Sequence, residues 1–120
     1  MPGLSIHVVD VSRGVVATGM QIEVYALGTR PGDARTLIAK GAVSQRGLLE
    51  DKALDATFAP QVFEAVFHVA AYYRAAGIAV AAVPFLDMVT YRFGMAEPAQ
   101  HYHLPFKCTP WGYSCFRGGV

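Results

Sequence analysis

Apolar and polar residues alternate along most of this chain with a period near two, the spacing of strands with one buried face. Ile6, Val8 and Val9 sit in a β-rich opening segment, and Val11-Ser12-Arg13-Gly14 reads as a turn. From Met20 to Leu27, Ile22, Val24 and Ala26 alternate with Gln21, Glu23 and Tyr25, which predicts a half-buried strand. Gly28 to Asp33, carrying Pro31 and Gly32, predicts a loop. Leu37 to Val43 is the next strand, ended by Ser44-Gln45-Arg46-Gly47, and a stretch of polar and small residues then runs to Pro60. Val62 to Val69 is rich in β-branched and aromatic residues. Ala70 to Ala76 changes to good helix formers and is stopped by Gly77, so one short helix with a glycine C-cap is predicted. Alternation returns from Phe85 to Met95, and Pro98 ends it. His101 to Cys108 and Gly112 to Arg117 are the last two strands, joined by the tight Thr109-Pro110-Trp111-Gly112. Seven or eight short strands and one small helix predict an all-β, two-sheet sandwich.

Composition adds an expectation about assembly. Hydrophobic residues make up 53% of the 120 positions and charged residues only 16%. The length fits a single domain over residues 1–120. A lone domain of that size has too little interior to hide so much apolar surface, so an oligomer is expected. A formal charge of +1 leaves no electrostatic footprint for nucleic acid. No run approaches the roughly 18 apolar residues of a membrane-spanning helix. Met1 to His7 lacks the basic start and long apolar run of a signal peptide, so a cytoplasmic location is expected. Cys108 and Cys115 are too few for a disulfide framework and are expected to be free thiols, and no CxxC zinc motif is present.

Both ends carry longer patterns. The opening LSIHVVDVSRG, followed by ATGMQIEVY, and the closing HYHLPFKCTPWGYSCFRGG resemble the first and last segments of the transthyretin-like, 5-hydroxyisourate hydrolase family. Between them, FEAVFHVAAYYRAAG is similar to that family's strand-then-helix segment and VPFLDMVTYRF to the strand after it. The resemblance covers nearly the whole chain. It implies a transthyretin-type sandwich assembled as a homotetramer, with active sites at dimer–dimer interfaces in a central channel. It also implies hydrolysis of 5-hydroxyisourate, the product of urate oxidation, by opening of its lactam ring.

In the family four positions carry that activity: an N-terminal histidine, an arginine after a mid-chain glycine, a histidine in the terminal strand, and a final serine. His7 falls on the first histidine, and His103, directly before Leu104-Pro105, on the second. The final serine is replaced by Gly119, and the tyrosine of the Y-R-G-S ending by Phe116, while Arg117 and Gly118 remain. Aligning Gly47 puts Leu48 at the arginine position; Arg46, two residues earlier, would share its face in an uninterrupted strand. Lys107 stands where the family has leucine. Strand alternation puts His103, Pro105 and Lys107 on one face, and by the same comparison Ser114, Phe116 and Gly118 of the next strand share that channel-facing side, with Cys115 turned away from it.

These side chains suit one chemistry. Hydrolysing a cyclic amide or ureide requires an activated water, a stabiliser for the tetrahedral oxyanion and an acid for the leaving nitrogen. His7 and His103 can supply base and acid near neutral pH. Lys107 can supply the positive charge that the family draws from its arginine, or, with its pKa depressed, act as a base or imine-forming nucleophile. Arg46, Ser114, Phe116 and Arg117 are the candidate substrate contacts. Each has a plainer role: Arg46 as a solvated turn residue, Lys107 as a strand-edge cation in water, Phe116 as filler for the space a tyrosine leaves, Arg117 as partner of a carboxylate. His101 and His68 are expected to be surface or strand-packing histidines, and Tyr72 and Tyr73 partly core. No metal or cofactor is expected, because two histidines and a lysine are not a ligand set.

Three functions follow. The first is a hydrolase of 5-hydroxyisourate or a related small heterocycle. The second is a biosynthetic enzyme on the same fold, using His7, His103 and Lys107 on a different small cyclic substrate. The third is a non-catalytic ligand-binding protein, as transthyretin itself is.

Overall fold

The computed structural model describes residues 2–119 and forms two four-stranded sheets packed face to face, the predicted sandwich. The strands are β1 (Gly3–Asp10), β2 (Val15–Val16), β3 (Gln21–Ala26), β4 (Thr36–Ala42), β5 (Gln61–Phe67), β6 (Val89–Met95), β7 (His101–Thr109) and β8 (Gly112–Cys115). One sheet has the order β2-β1-β7-β8, the other β4-β3-β5-β6. β1 and β7 are parallel; the remaining pairs are antiparallel.

The period-two pattern decides which face each sheet buries. In β1, Leu4, Ile6, Val8 and Asp10 point inward, and in β7 Tyr102, Leu104, Phe106 and Cys108 do the same. Phe106 lies flat against Phe67 of the facing sheet, centroids 3.8 Å apart. Ser5, His7 and Val9, with His101, His103, Pro105 and Lys107, are left on the outer face.

The helix, α1 (Val69–Ala75), follows β5, and Gly77 adopts φ +78° just beyond its cap residue Ala76, as a terminating glycine should. It is anchored by Tyr72 and Tyr73, whose hydroxyls donate to the two oxygens of buried Asp10 at 3.0 and 2.7 Å. Ser12 at 2.6 Å and Arg13 at 2.8 Å complete the shell around that carboxylate.

Three local expectations shift. Phe85 to Met88 is not strand: the β5–β6 ladder starts at Val89 opposite Phe67, where β5 ends, so the preceding residues have no partner. Instead the Asp87 carbonyl accepts the Ala70 N–H of α1 at 2.9 Å. The last strand stops at Cys115 rather than Arg117. The stretch before Pro60 contains one turn of 3-10 helix, Lys52–Asp55, which Asp51 caps by accepting from the Ala53 N–H at 2.9 Å. Among the described residues no helix is long and apolar enough to cross a membrane.

Candidate active site

Because β1 and β7 run parallel and in register, their outward side chains form rows. Ser5 stands opposite His103, His7 opposite Pro105 and Val9 opposite Lys107. With a rise of about 3.3 Å per residue and strands about 4.8 Å apart, the Cα atoms of His7 and His103 are about 8 Å from each other. The sequence spacing therefore brings the two histidines onto one face of adjacent strands.

Each ring has a glycine pressed against it. The chain at Gly47–Leu49 docks on β1: the Val8 N–H donates to the Gly47 carbonyl at 2.8 Å, the Leu49 N–H donates to the Ile6 carbonyl at 3.2 Å, and Leu48 is bridged opposite His7. Gly47 has φ +79°, and a Cβ there would come within 2.7 Å of both His7 Nε2 and Val16 Cγ1. On the other strand, the Gly118 N–H donates to the His103 carbonyl at 2.7 Å, and a Cβ on Gly118 would come within 2.7 Å of His103 Cδ2. His103 Nδ1 lies 2.7 Å from Ser5 Oγ. Burial first, then the neighbouring His7 and His101, push the His103 pKa below the ordinary 6.5. At neutral pH this ring is accordingly uncharged and able to take a proton.

The other predicted site residues divide into two groups. Lys107 is exposed on the same face, registered opposite Ser114, with Nζ 5.8 Å from the centre of the Phe116 ring. Lys107, Ser114 and Phe116 thus meet at the end of the row that begins at His103. Arg117 turns instead toward the Tyr102 side of β7, its guanidinium 3.9 Å from that ring's centre and its Nη2 donating to Gln100 Oε1 at 2.9 Å. Arg46 sits in the turn before Gly47 and is paired with Glu50 at 3.2 Å. Leu48, not Arg46, is therefore the residue beside His7.

Ser5 was not among the residues singled out from the sequence, and His101 is exposed, as expected of a surface histidine, yet joins the site. Ser5 Oγ is also 2.8 Å from His101 Nε2, so one hydroxyl joins two histidines. The signal was present as two i, i+2 pairs, Ser5/His7 and His101/His103, on strands that become neighbours. His68 behaves as expected, with Nε2 2.6 Å from Glu23 Oε2. Cys115 faces the interior, where burial pushes its thiol up to about 12, and burial raises Cys108 to about 11. Neither is a thiolate near neutral pH. Among the described residues no group of three or more His, Cys, Asp or Glu side chains could hold a metal ion.

The HIUase/Transthyretin family model matches residues 4–118. The chain belongs to this family. It is 39% identical to 5-hydroxyisourate hydrolase 2 of Rhizobium meliloti, over 96% of this chain and 94% of that protein. Among solved structures it superimposes on (S)-allantoin synthase with a TM-score of 0.85 and 30% identity, covering 98% of this chain but 43% of that one. The 5-hydroxyisourate hydrolase of Klebsiella pneumoniae matches with a TM-score of 0.74 and 24% identity, covering 99% of this chain and all (100%) of that one, a likeness of fold. The all-β sandwich expected of a family member is the one observed.

Proposed function

We propose that this protein is a cyclic-amide hydrolase acting on 5-hydroxyisourate, with His103 as general base and His7 as general acid. The reading is carried by one observation: two histidines on the outer face of adjacent parallel strands, each wedged by a glycine, with His103 held neutral. In this scheme His103 takes a proton from water as its oxygen adds to the ring carbonyl. The tetrahedral carbon then expels the ring nitrogen, and His7 delivers the proton that nitrogen needs. Lys107 supplies a positive charge to the anionic heterocycle from the far end of the row, and Phe116 and Ser114 border it there. Arg46, Arg117 and their partners frame the site from its margins. The histidine face is open in one protomer, so the proposal includes a homotetramer in which a second copy covers it and excludes water.

A second reading has its own observation. Apolar Leu48 lies against His7, where the family resemblance implies an arginine, and Gly119 stands at the terminal serine. Loss of one oxyanion donor costs about 10²–10³ in rate. The same histidine pair with Lys107 would then serve a different small cyclic substrate of a biosynthetic pathway.

The test is an ultraviolet assay on enzymatically generated 5-hydroxyisourate, comparing the protein with the His7→Ala, His103→Ala double variant. The expected result is clearance faster than spontaneous decay by the wild type and loss of about 10² or more of that rate in the variant. Wild-type clearance no faster than buffer would overturn the hydrolase reading in favour of the second.

A further inference from the structure

Ser5 Oγ lies 2.7 Å from His103 Nδ1 and 2.8 Å from His101 Nε2. A hydroxyl has one proton to give, so it donates to one ring and must accept from the other. Which way the chain runs is decided at its outer end. His101 Nδ1 faces the Pro2 carbonyl oxygen at 3.5 Å, and a carbonyl can only accept. The His101 proton then sits on Nδ1, its Nε2 accepts from Ser5, and Ser5 accepts from a protonated His103 Nδ1. The lone pair of His103 is left on Nε2, and Gly118 closes the ring's Cδ2 edge.

We propose that Ser5 and His101 are positioning residues that fix the tautomer of His103, placing its basic nitrogen at Nε2 and withdrawing it when His101 gains a proton. The inference rests on the reading of His103 as the general base. Protonated His101 carries N–H on both nitrogens and donates through Nε2 to Ser5. The Ser5 hydroxyl then turns to donate to His103 Nδ1, and the neutral His103 ring must carry its proton on Nε2, where it is no longer a base. His101 is exposed at a cleft of about 340 Å³ that also holds Arg46, Glu50, Asp51, Lys52 and Asp55. His7 is the remaining titratable group near His103 on β1.

Nitrogen-15 NMR of the histidine rings in the free protein tests this without reference to turnover. At pH 8 the wild type is expected to show His103 protonated at Nδ1, Ser5→Thr to keep that form, and Ser5→Ala to lose the preference. Lowering the pH should convert neutral His103 to the Nε2–H form in the wild type and not in Ser5→Ala. In the 5-hydroxyisourate assay, Ser5→Ala should lower kcat about tenfold with KM unchanged and flatten the acid limb of the pH profile, and Ser5→Thr should restore both. A His103 tautomer that is Nε2–H at pH 8 in the wild type, or unchanged in Ser5→Ala, overturns the inference. Absence of wild-type turnover overturns the proposed reaction instead, while the ring spectra still decide the network.

Discussion

Glycine does different work at the two ends of the histidine pair, and the difference is measurable. Gly47 is needed for its backbone as well as its size, since φ +79° strains any L side chain. Gly118 has no such backbone requirement, so its lack of a Cβ matters only to His103. Gly118→Ala therefore displaces one ring with little effect on the fold. A shift of about 1 Å in a catalytic group costs about 10² in rate. The variant is expected to lose about that factor in kcat/KM with a melting temperature near wild type. Unchanged kcat/KM would mean that the terminal segment does not set the ring's position. At this scale His7, His103 and the glycines beside them were legible in the sequence, because motif spacing preserves them. Ser5 and His101 were not, because their bond exists only through the parallel β1–β7 register, across a separation of 96 positions in the chain. Arg46 and Leu48 were undecidable for a similar reason: the turn before Gly47 sends Arg46 to Glu50, and strand parity says nothing across a turn.

The elements were read well where a segment's own pattern determines them and less well where a partner does. The alternation in 21–26 and 101–109 is local, and those strands appear within a residue or two of expectation. Phe85 to Met88 alternates equally well, yet β5 has already ended, and alternation without a partner is not a strand. The junction of β1 with α1 is likewise a non-local device. Asp10 is fully buried; desolvation raises its pKa, but hydrogen bonds from Ser12, Arg13, Tyr73 and Tyr72 together outweigh it and bring the carboxyl from 3.8 to about 2. A depressed carboxyl stabilises the fold fully above its unfolded value and loses that contribution as pH falls through the folded one. The window here is from 3.8 down to about 2, and the contribution is about 2 kcal/mol. Urea unfolding at pH 6 and pH 2.5 should show this loss in the wild type. Tyr73→Phe removes one donor from Asp10 and should cost about 1–3 kcal/mol at pH 6, with a smaller further loss on acidification. Equal acid sensitivity in the two proteins would show that the carboxylate network is not what α1 depends on.

At the scale of the whole molecule, the composition and the exposed surface agree on association. β8 is the edge of its sheet, and edges with unpaired backbone groups tend to join other chains. Around it the protomer leaves large apolar side chains in water: Trp111 is 71% exposed, Tyr113 49% and Phe116 45%. Tyr113 at least stacks on Phe106, whereas Trp111 projects from the β7–β8 turn. Phe116 and Lys107 belong to the same open face as the histidines, so the surface that calls for a partner is continuous with the proposed site. Assembly and catalysis should therefore fail together. Sedimentation of the wild type at micromolar concentration is expected to give four protomers. Trp111→Lys places a charge in the middle of the apolar turn without touching the interior; it should shift the protein to smaller species, keep its β-sheet circular dichroism, and reduce turnover of 5-hydroxyisourate in proportion to the tetramer lost. A monomeric wild type with full activity would break the link, since one protomer would then exclude water from the histidine face unaided. A tetrameric Trp111→Lys variant would place the contact elsewhere on the surface, with Val83 and Phe85 (88% and 82% exposed) the next positions to charge.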